Sequence, residues 1–206
     1  MEMTQHINSV WKDHVGTTGV TCFTCHRGHP VPANVWFLDS SPKFAQGFAA
    51  DPQGQNRPAA AAGMTSLPAD PFLPLLKSNI PIRIVSTTAL PQGNGPSVKS
   101  AEQTYGLMIQ LSKALGVNCT FCHNAQAFTS WQTSTPQRVT AWHGIQMVRD
   151  LNTNYLEPLT ATFPANRLGK AGDVAKINCS TCHQGVNKPL FGVSMLQDYP
   201  ELSAPQ

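Results

Sequence analysis

Apolar residues recur at helical intervals in three stretches of the chain. The first covers residues 2–15, where Met3, Ile7, Val10, Trp11 and His14 fall on one stripe and Gly16 follows as a stop. The second covers 100–115: Ser100 and Gln103 read as a capping box, Tyr105, Met108, Leu111 and Leu115 form the stripe, and Gly116 ends it. The third opens with Thr135 as cap and Pro136 in its first turn, and runs through Ala141, Ile145, Val148 and Leu151 to about Tyr155. Strand-like alternation is confined to NIPIRIVS, with Ile80, Ile82 and Ile84 on one face and Pro81 placing it at an edge. The pattern predicts a mainly α chain with long irregular loops and little strand.

Composition sharpens this picture. Seventeen Pro and fifteen Gly in 206 residues leave room for only a few regular elements. Charged residues make up 12% of the chain, about half the usual share, and the formal charge is +3. So sparse a charge makes no phosphate-binding surface, and nucleic acid is not an expected partner. No stretch reaches the roughly 18–20 apolar residues of a membrane span, and the first residues lack the apolar centre of a secretory signal. Something besides secondary structure has to help fill the core.

The cysteines supply a candidate. All six, at 22, 25, 119, 122, 179 and 182, occur as C-x-x-C, and each pair is followed directly by a histidine: His26, His123 and His183. Two thiols at this spacing can form thioethers to the vinyl groups of a haem while the adjacent imidazole reaches the iron. A thioredoxin-like pair, half a zinc site or three disulfides would each use some of these cysteines, but none explains the histidine after every second one. The surroundings repeat as well, in GVTCFTCHRG, GVNCTFCHNA and KINCSTCHQG. Three haem c groups follow, each adding apolar area to the core and two propionates that make the loaded protein less basic than its sequence. The chain then divides into 1–39, a helix plus the first haem segment; 40–99, a loop-rich connection with the short strand; and 100–206, a two-haem segment with two main helices.

The sixth ligands are less evenly marked. Met108 lies on the stripe of the second helix, eleven residues before Cys119, so its thioether is a candidate for that motif's iron, against the ordinary reading of a core methionine. No Met or His stands between Val148 and Asn178, so the third motif imports a ligand, uses Met195 downstream, or stays open. Four histidines lie outside the motifs. His14 ends the first apolar stripe and is the candidate for a long-range ligand, His6 and His29 are expected to face solvent, and His143 is left as a core or surface group. Eleven residues before Cys22 stands Trp11, and neither Met1 nor Met3 can be assigned to that iron. Arg138 is a candidate partner for a propionate, with a helix-surface role as the alternative.

The motifs resemble those of the cytochrome c subunit of purple-bacterial photosynthetic reaction centres, a four-haem protein on the periplasmic face of the complex. The resemblance rests on EMT, INSVW, HV and TGVTCFTCHRG; on LGVNCTFCHNAQ, STPQR, GIQMVRDLN and NYLEPL; and on CSTCHQGV, KPLFG and DYPEL. It implies Met108 as ligand of the haem at Cys119 and Cys122, and His14 as ligand of the distant haem at Cys179 and Cys182. It further implies an electron carrier, not an enzyme, that is reduced by a soluble periplasmic donor (a cytochrome c or a high-potential iron–sulfur protein). That carrier would re-reduce the photo-oxidised bacteriochlorophyll pair while bound to the reaction-centre core subunits. Its expected place is the periplasmic face of the photosynthetic inner (intracytoplasmic) membrane. Two departures stand out: the family's first haem segment has no counterpart here, and the methionine expected for the haem at Cys22 falls just before residue 1. The chain is therefore expected to be a truncated form whose anchor precedes it. A multihaem reductase with one open haem iron is the alternative that the unassigned iron at Cys22 keeps in view.

Overall fold

The structure, a computed structural model, describes residues 1–38, 67, 70–82, 84 and 98–203. The predicted first helix is two: α1 (Glu2–Val10) and α2 (Lys12–Val15) meet at Trp11, whose φ of −104° and ψ of 33° break the helix. The break has a visible cause. The Trp11 indole N–H donates to Asp150 Oδ2 at 2.8 Å, tying this corner to a helix far along the chain. Gly16, with φ 61°, then ends α2 as the sequence predicts.

The remaining helices are α3 (Cys22–His26), α4 (Val98–Leu115), α5 (Pro136–Asp150) and α6 (Cys179–His183). A π-helical turn, Leu73–Lys77, precedes α4, and a second, Leu151–Leu156, continues α5 past Tyr155. Because α4 already begins at Val98, Ser100 lies inside the helix, and the predicted capping box with Gln103 is not its start. Thr135 does stand at the N-cap of α5, yet its hydroxyl donates to the Phe121 carbonyl at 2.6 Å instead of capping the helix.

The core gathers Ile7 of α1, Leu107 of α4, Ile145 and Val148 of α5, Leu151, and Ile177 around Leu75 and Leu76 of the first π turn. Two polar side chains fix that turn in place. Arg149 donates to the Leu75 carbonyl at 2.6 Å, to Asn79 Oδ1 at 2.9 Å and to the Ile80 carbonyl at 2.9 Å. Asn152, fully buried, donates to the carbonyls of Leu76 and Ile177 and accepts from Ile177 N–H.

The predicted strand does not form over the described residues of NIPIRIVS: Ile80 is exposed while Ile82 is buried. Helix side chains take the hydrogen bonds a neighbouring strand would take, since the Ile80 carbonyl accepts from Arg149 and the Ile82 carbonyl from the Thr104 hydroxyl. Arg83, Val85 and Ser86 of that stretch lie outside the described residues. Among the described residues, β pairing is limited to an isolated antiparallel bridge between Trp36 and Lys176. With the bonds from Gln5 and Asn8 to the carbonyls of Glu201 and Leu202, that bridge packs the chain's first segment onto its last. No helix of the described residues is long and apolar enough to cross a membrane.

Candidate haem sites

Each C-x-x-C-H segment is a single helical turn opened by a polar residue. In α3 the Thr21 N–H donates to Thr24 Oγ1 at 3.0 Å, and in α6 the Asn178 N–H donates to Thr181 Oγ1 at 3.0 Å. Both are the returning half of a capping box, which needs an acceptor side chain three residues into the turn. The second motif has Phe121 at that place, and its turn, Cys119–Phe121, is a 3-10 helix held by the Thr120 N–H donating to Asn118 Oδ1. One residue type thus separates the first and third motifs, which are α-helical, from the second.

The motif imidazoles are oriented alike. Nδ1 of His26 lies 2.9 Å from the His29 carbonyl, Nδ1 of His123 lies 2.9 Å from the Phe128 carbonyl, and Nδ1 of His183 lies 3.0 Å from the Val186 carbonyl. A carbonyl only accepts, so the proton sits on Nδ1 and Nε2 keeps a free lone pair, the form in which an imidazole ligates iron. His14 is held the same way, Nδ1 to the Thr140 carbonyl at 2.9 Å. Burial also lowers the pKa of His14 and pushes that of His183 down to about 4, so both rings are neutral at pH 7.

His14 and His183, 169 residues apart in sequence, stand with ring centroids 6.0 Å apart and planes at 66°. With metal–nitrogen bonds of about 2 Å, two imidazoles ligating one ion from opposite sides have centroids about 6 Å apart. The pair therefore fits a bis-histidine haem. Around it lies a cavity of about 740 Å³ whose wall carries Cys22, His26, Cys179 and His183 together with apolar Leu111 and Leu115. An apolar wall with thiols and imidazoles at its edge suits porphyrin rings attached through their rims.

The thiols themselves narrow the alternatives. Cys25 and Cys182 are joined by a disulfide between the second cysteines of the first and third motifs, while Cys22, Cys119, Cys122 and Cys179 are free. A three-disulfide framework is thus not what the chain forms, and a thioether at Cys25 or Cys182 would require their disulfide to be reduced to two thiols first. Burial pushes the Cys179 thiol up to about 12, so the free side chain is a neutral thiol at pH 7. Among the described residues no three His, Cys, Asp or Glu side chains converge on a point that could hold an ion.

The second motif lies apart from this cavity, apart from Phe121 on its wall. His123 stacks on Phe128 with centroids 4.2 Å apart, and Arg138 covers the Trp131 ring at 4.3 Å while donating to the Ser130 carbonyl at 2.6 Å. Met108 is half-buried at the edge of the core cluster. Met1 and Met3 line the cavity beside the first motif, and Thr4 Oγ1 lies 4.0 Å from Cys22 Sγ. Met195 is half-buried just before the 3-10 turn Leu196–Asp198.

The other histidines have separate places. His6, expected in solvent, is half-buried against Asp150 with Nε2 2.6 Å from Oδ2. Burial alone would raise the Asp150 pKa, but bonds from Asn154, His6 and Trp11 outweigh it, so the carboxyl titrates below its ordinary range. His29 is exposed and His143 lies 4.0 Å from Asp13.

Three contributors went unmarked in the sequence. Thr24 and Thr181 could have been found as the shared third residue of C-F-T-C-H and C-S-T-C-H. Gly144, in the middle of α5, sits against the His14 ring; a lone glycine inside a helical pattern was its signal. The third motif, last in sequence, is central in space. α6 packs on α3, where the Arg27 guanidinium donates to the Cys182 carbonyl at 3.2 Å, and on α4, where the Gly185 N–H donates to the Ala114 carbonyl at 2.8 Å.

Helical turns bearing C-x-x-C-H, imidazoles presented through Nε2, an apolar cavity and scarcely any strand define a mainly α, multihaem c-type cytochrome. The family model for the photosynthetic reaction centre cytochrome c subunit matches residues 1–203, and the chain belongs to that family. It is 56% identical over 203 residues to the photosynthetic reaction center cytochrome c subunit of Rubrivivax gelatinosus, covering 98% of this chain and 56% of that protein. The like-named subunit of Thermochromatium tepidum is 50% identical over 201 residues, covering 98% and 49%. That of Roseobacter denitrificans is 38% identical over 213 residues, covering 98% and 57%. The chain spans about half the length of these curated relatives.

Proposed function

We propose that the chain is the three-haem portion of an electron-transfer cytochrome serving a photosynthetic reaction centre. It would accept electrons singly from a soluble periplasmic donor, a cytochrome c or a high-potential iron–sulfur protein, and re-reduce the photo-oxidised bacteriochlorophyll pair. Family membership supports the partner, the reaction-centre core, and the periplasmic face of the photosynthetic membrane as its place.

On this reading Cys22 and Cys25, Cys119 and Cys122, and Cys179 and Cys182 would hold haem c through thioethers, His26, His123 and His183 would be axial ligands, and Met108 and His14 would supply the sixth ligands at the second and third motifs. Bound haem supplies reversible one-electron iron chemistry. The chain's own contribution is to fix which atoms meet the iron and in what surroundings. Carbonyls on four Nδ1 atoms hold the imidazoles in the ligating tautomer. Thioether ligation at Met108 raises one potential and the His14/His183 pair lowers another, so the chain carries a ladder of potentials.

The His14–His183 approach carries this reading, because two imidazoles at that separation would hold one iron from both sides and leave no position for a substrate. Spectroelectrochemical titration with low-temperature absorption tests it. The expected result is three haems per chain, one of them bis-histidine and low in potential. Prompt carbon monoxide or cyanide binding by the reduced third haem would instead favour the reductase with an open iron.

A further inference from the structure

α5 runs from Pro136 to Asp150, and Gly144 lies well inside it, where glycine is the poorest helix former apart from proline. The backbone does not ask for it, since Gly144 is absent from the residues with positive φ. Space does. A Cβ at this position would stand 2.5 Å from His14 Cε1, 2.8 Å from Nδ1 and 3.1 Å from Nε2, all atoms of one imidazole. Real Cβ atoms essentially never come closer than 3.0 Å to another heavy atom, so the ring would have to shift.

It is poorly placed to do so. Thr140, one turn earlier on the same face of α5, holds Nδ1 through its carbonyl at 2.9 Å, and the His183 ring stands at 6.0 Å. A Cβ would push His14 off that carbonyl or change its distance from His183. We propose that Gly144 is a positioning residue for the third haem: its missing side chain is the seat in which His14 lies flat enough on α5 to serve as axial ligand. The inference rests on the reading of His14 as that ligand. Thr140 supplies the orienting acceptor and Gly144 the room, so two positions a turn apart on α5 set the geometry of a ligand carried by α2.

Three variants of the haem-loaded chain in its native complex test this: Gly144→Ala, His14→Gly, and the two combined. The readouts are the bis-histidine signature in low-temperature absorption and electron paramagnetic resonance, and the carbon monoxide bound after reduction. His14→Gly is expected to lose the signature and to bind one more carbon monoxide per chain than the unaltered protein. Gly144→Ala is expected to lose it too, although alanine by itself favours the helix. The double variant should match His14→Gly in spectrum and equal or exceed it in stability, because the three atoms nearest the new methyl group all belong to the ring that is gone.

If Gly144→Ala keeps the signature while His14→Gly loses it, the inference fails and the ligand assignment stands. If His14→Gly keeps it, both fail. Should Gly144→Ala not accumulate, recovery in the double variant supports the clash with His14, and failure of the double variant as well overturns it.

Discussion

Gly116 is the place where two haem segments touch through bare backbone, and replacing it with alanine gives a quantitative test of the fold. Its φ is +66°, a left-handed conformation that costs an L-residue roughly 1–2 kcal/mol. The new Cβ would lie 2.1 Å from the Gly185 carbonyl oxygen, when ordinary contact begins at 3.4 Å. Both groups are backbone, so α4 and the segment after α6 would have to part by over an ångström. That movement stretches the 2.8 Å bond from the Gly185 N–H to the Ala114 carbonyl, worth about 0.5–1.5 kcal/mol.

The expected loss is therefore about 1.5–3.5 kcal/mol, a large part of a typical domain's stability. Gly172 supplies the control: φ is +78° and nothing lies within 4 Å of its ideal Cβ, so alanine there should cost only the conformational 1–2 kcal/mol, roughly. Guanidinium unfolding of the two haem-loaded variants, followed by far-ultraviolet circular dichroism, reads the difference. A Gly116→Ala midpoint no lower than that of Gly172→Ala would refute the proposed contact between α4 and the third motif.

Asn152→Ala should cost about 3–5 kcal/mol in the same unfolding assay, because it strands the buried Ile177 N–H and removes the donor to two carbonyls; a loss below about 1 kcal/mol would contradict the bonding described. Acid gives a test with a definite sign. His183 has its pKa lowered from 6.5 to about 4 by burial, so the unfolded chain takes up the proton first, and stability falls as pH drops from 6.5 towards 4. Iron at Nε2 competes with that proton, so in an absorbance titration the third haem should keep its axial imidazole well below the ordinary histidine range; release beginning near 6.5 would count against His183 as its ligand.

The ends of α2 and α4 at Gly16 and Gly116 were legible because each depends on a neighbour in sequence, a glycine that accepts positive φ, and the repeated C-x-x-C-H spacing on which the proposed site rests is likewise local. What escaped depends on distant partners. The break at Trp11 needs Asp150, and the strand at Ile80 and Ile82 is cancelled by Arg149 and Thr104, side chains no local pattern foretells. Periodicity also misjudged one face. In α4 the fully buried positions are Leu107 and Ala114, whereas Tyr105 is exposed and Met108, Leu111 and Leu115 are half-buried. Met108 and Leu111 pack against the core cluster as the stripe predicts, while Leu111 and Leu115 also line the cavity that the first and third motifs share, so one apolar face serves both.

Chain order and spatial order of the motifs differ, and that difference has a kinetic consequence. Cys25 of the first motif lies beside Cys182 of the third, with Cα atoms 4.3 Å apart, and Gly116, three residues ahead of Cys119, rests on Gly185 just past His183. The third motif therefore stands between the other two. If electrons cross the chain through these contacts, the low-potential His14/His183 site is a step on the way and not a side branch, reached uphill from a Met-ligated neighbour and left downhill. Replacing Cys179 and Cys182 by alanine, which removes the attachment of that haem, should then stop electron exchange between the first and second haems. Removing attachment at Cys22 and Cys25 should leave the second and third exchanging as before. Flash-induced absorption changes at each haem's own band separate these outcomes. Exchange between the outer two at an unaltered rate without the third would show that they communicate directly and that its central position is structural only.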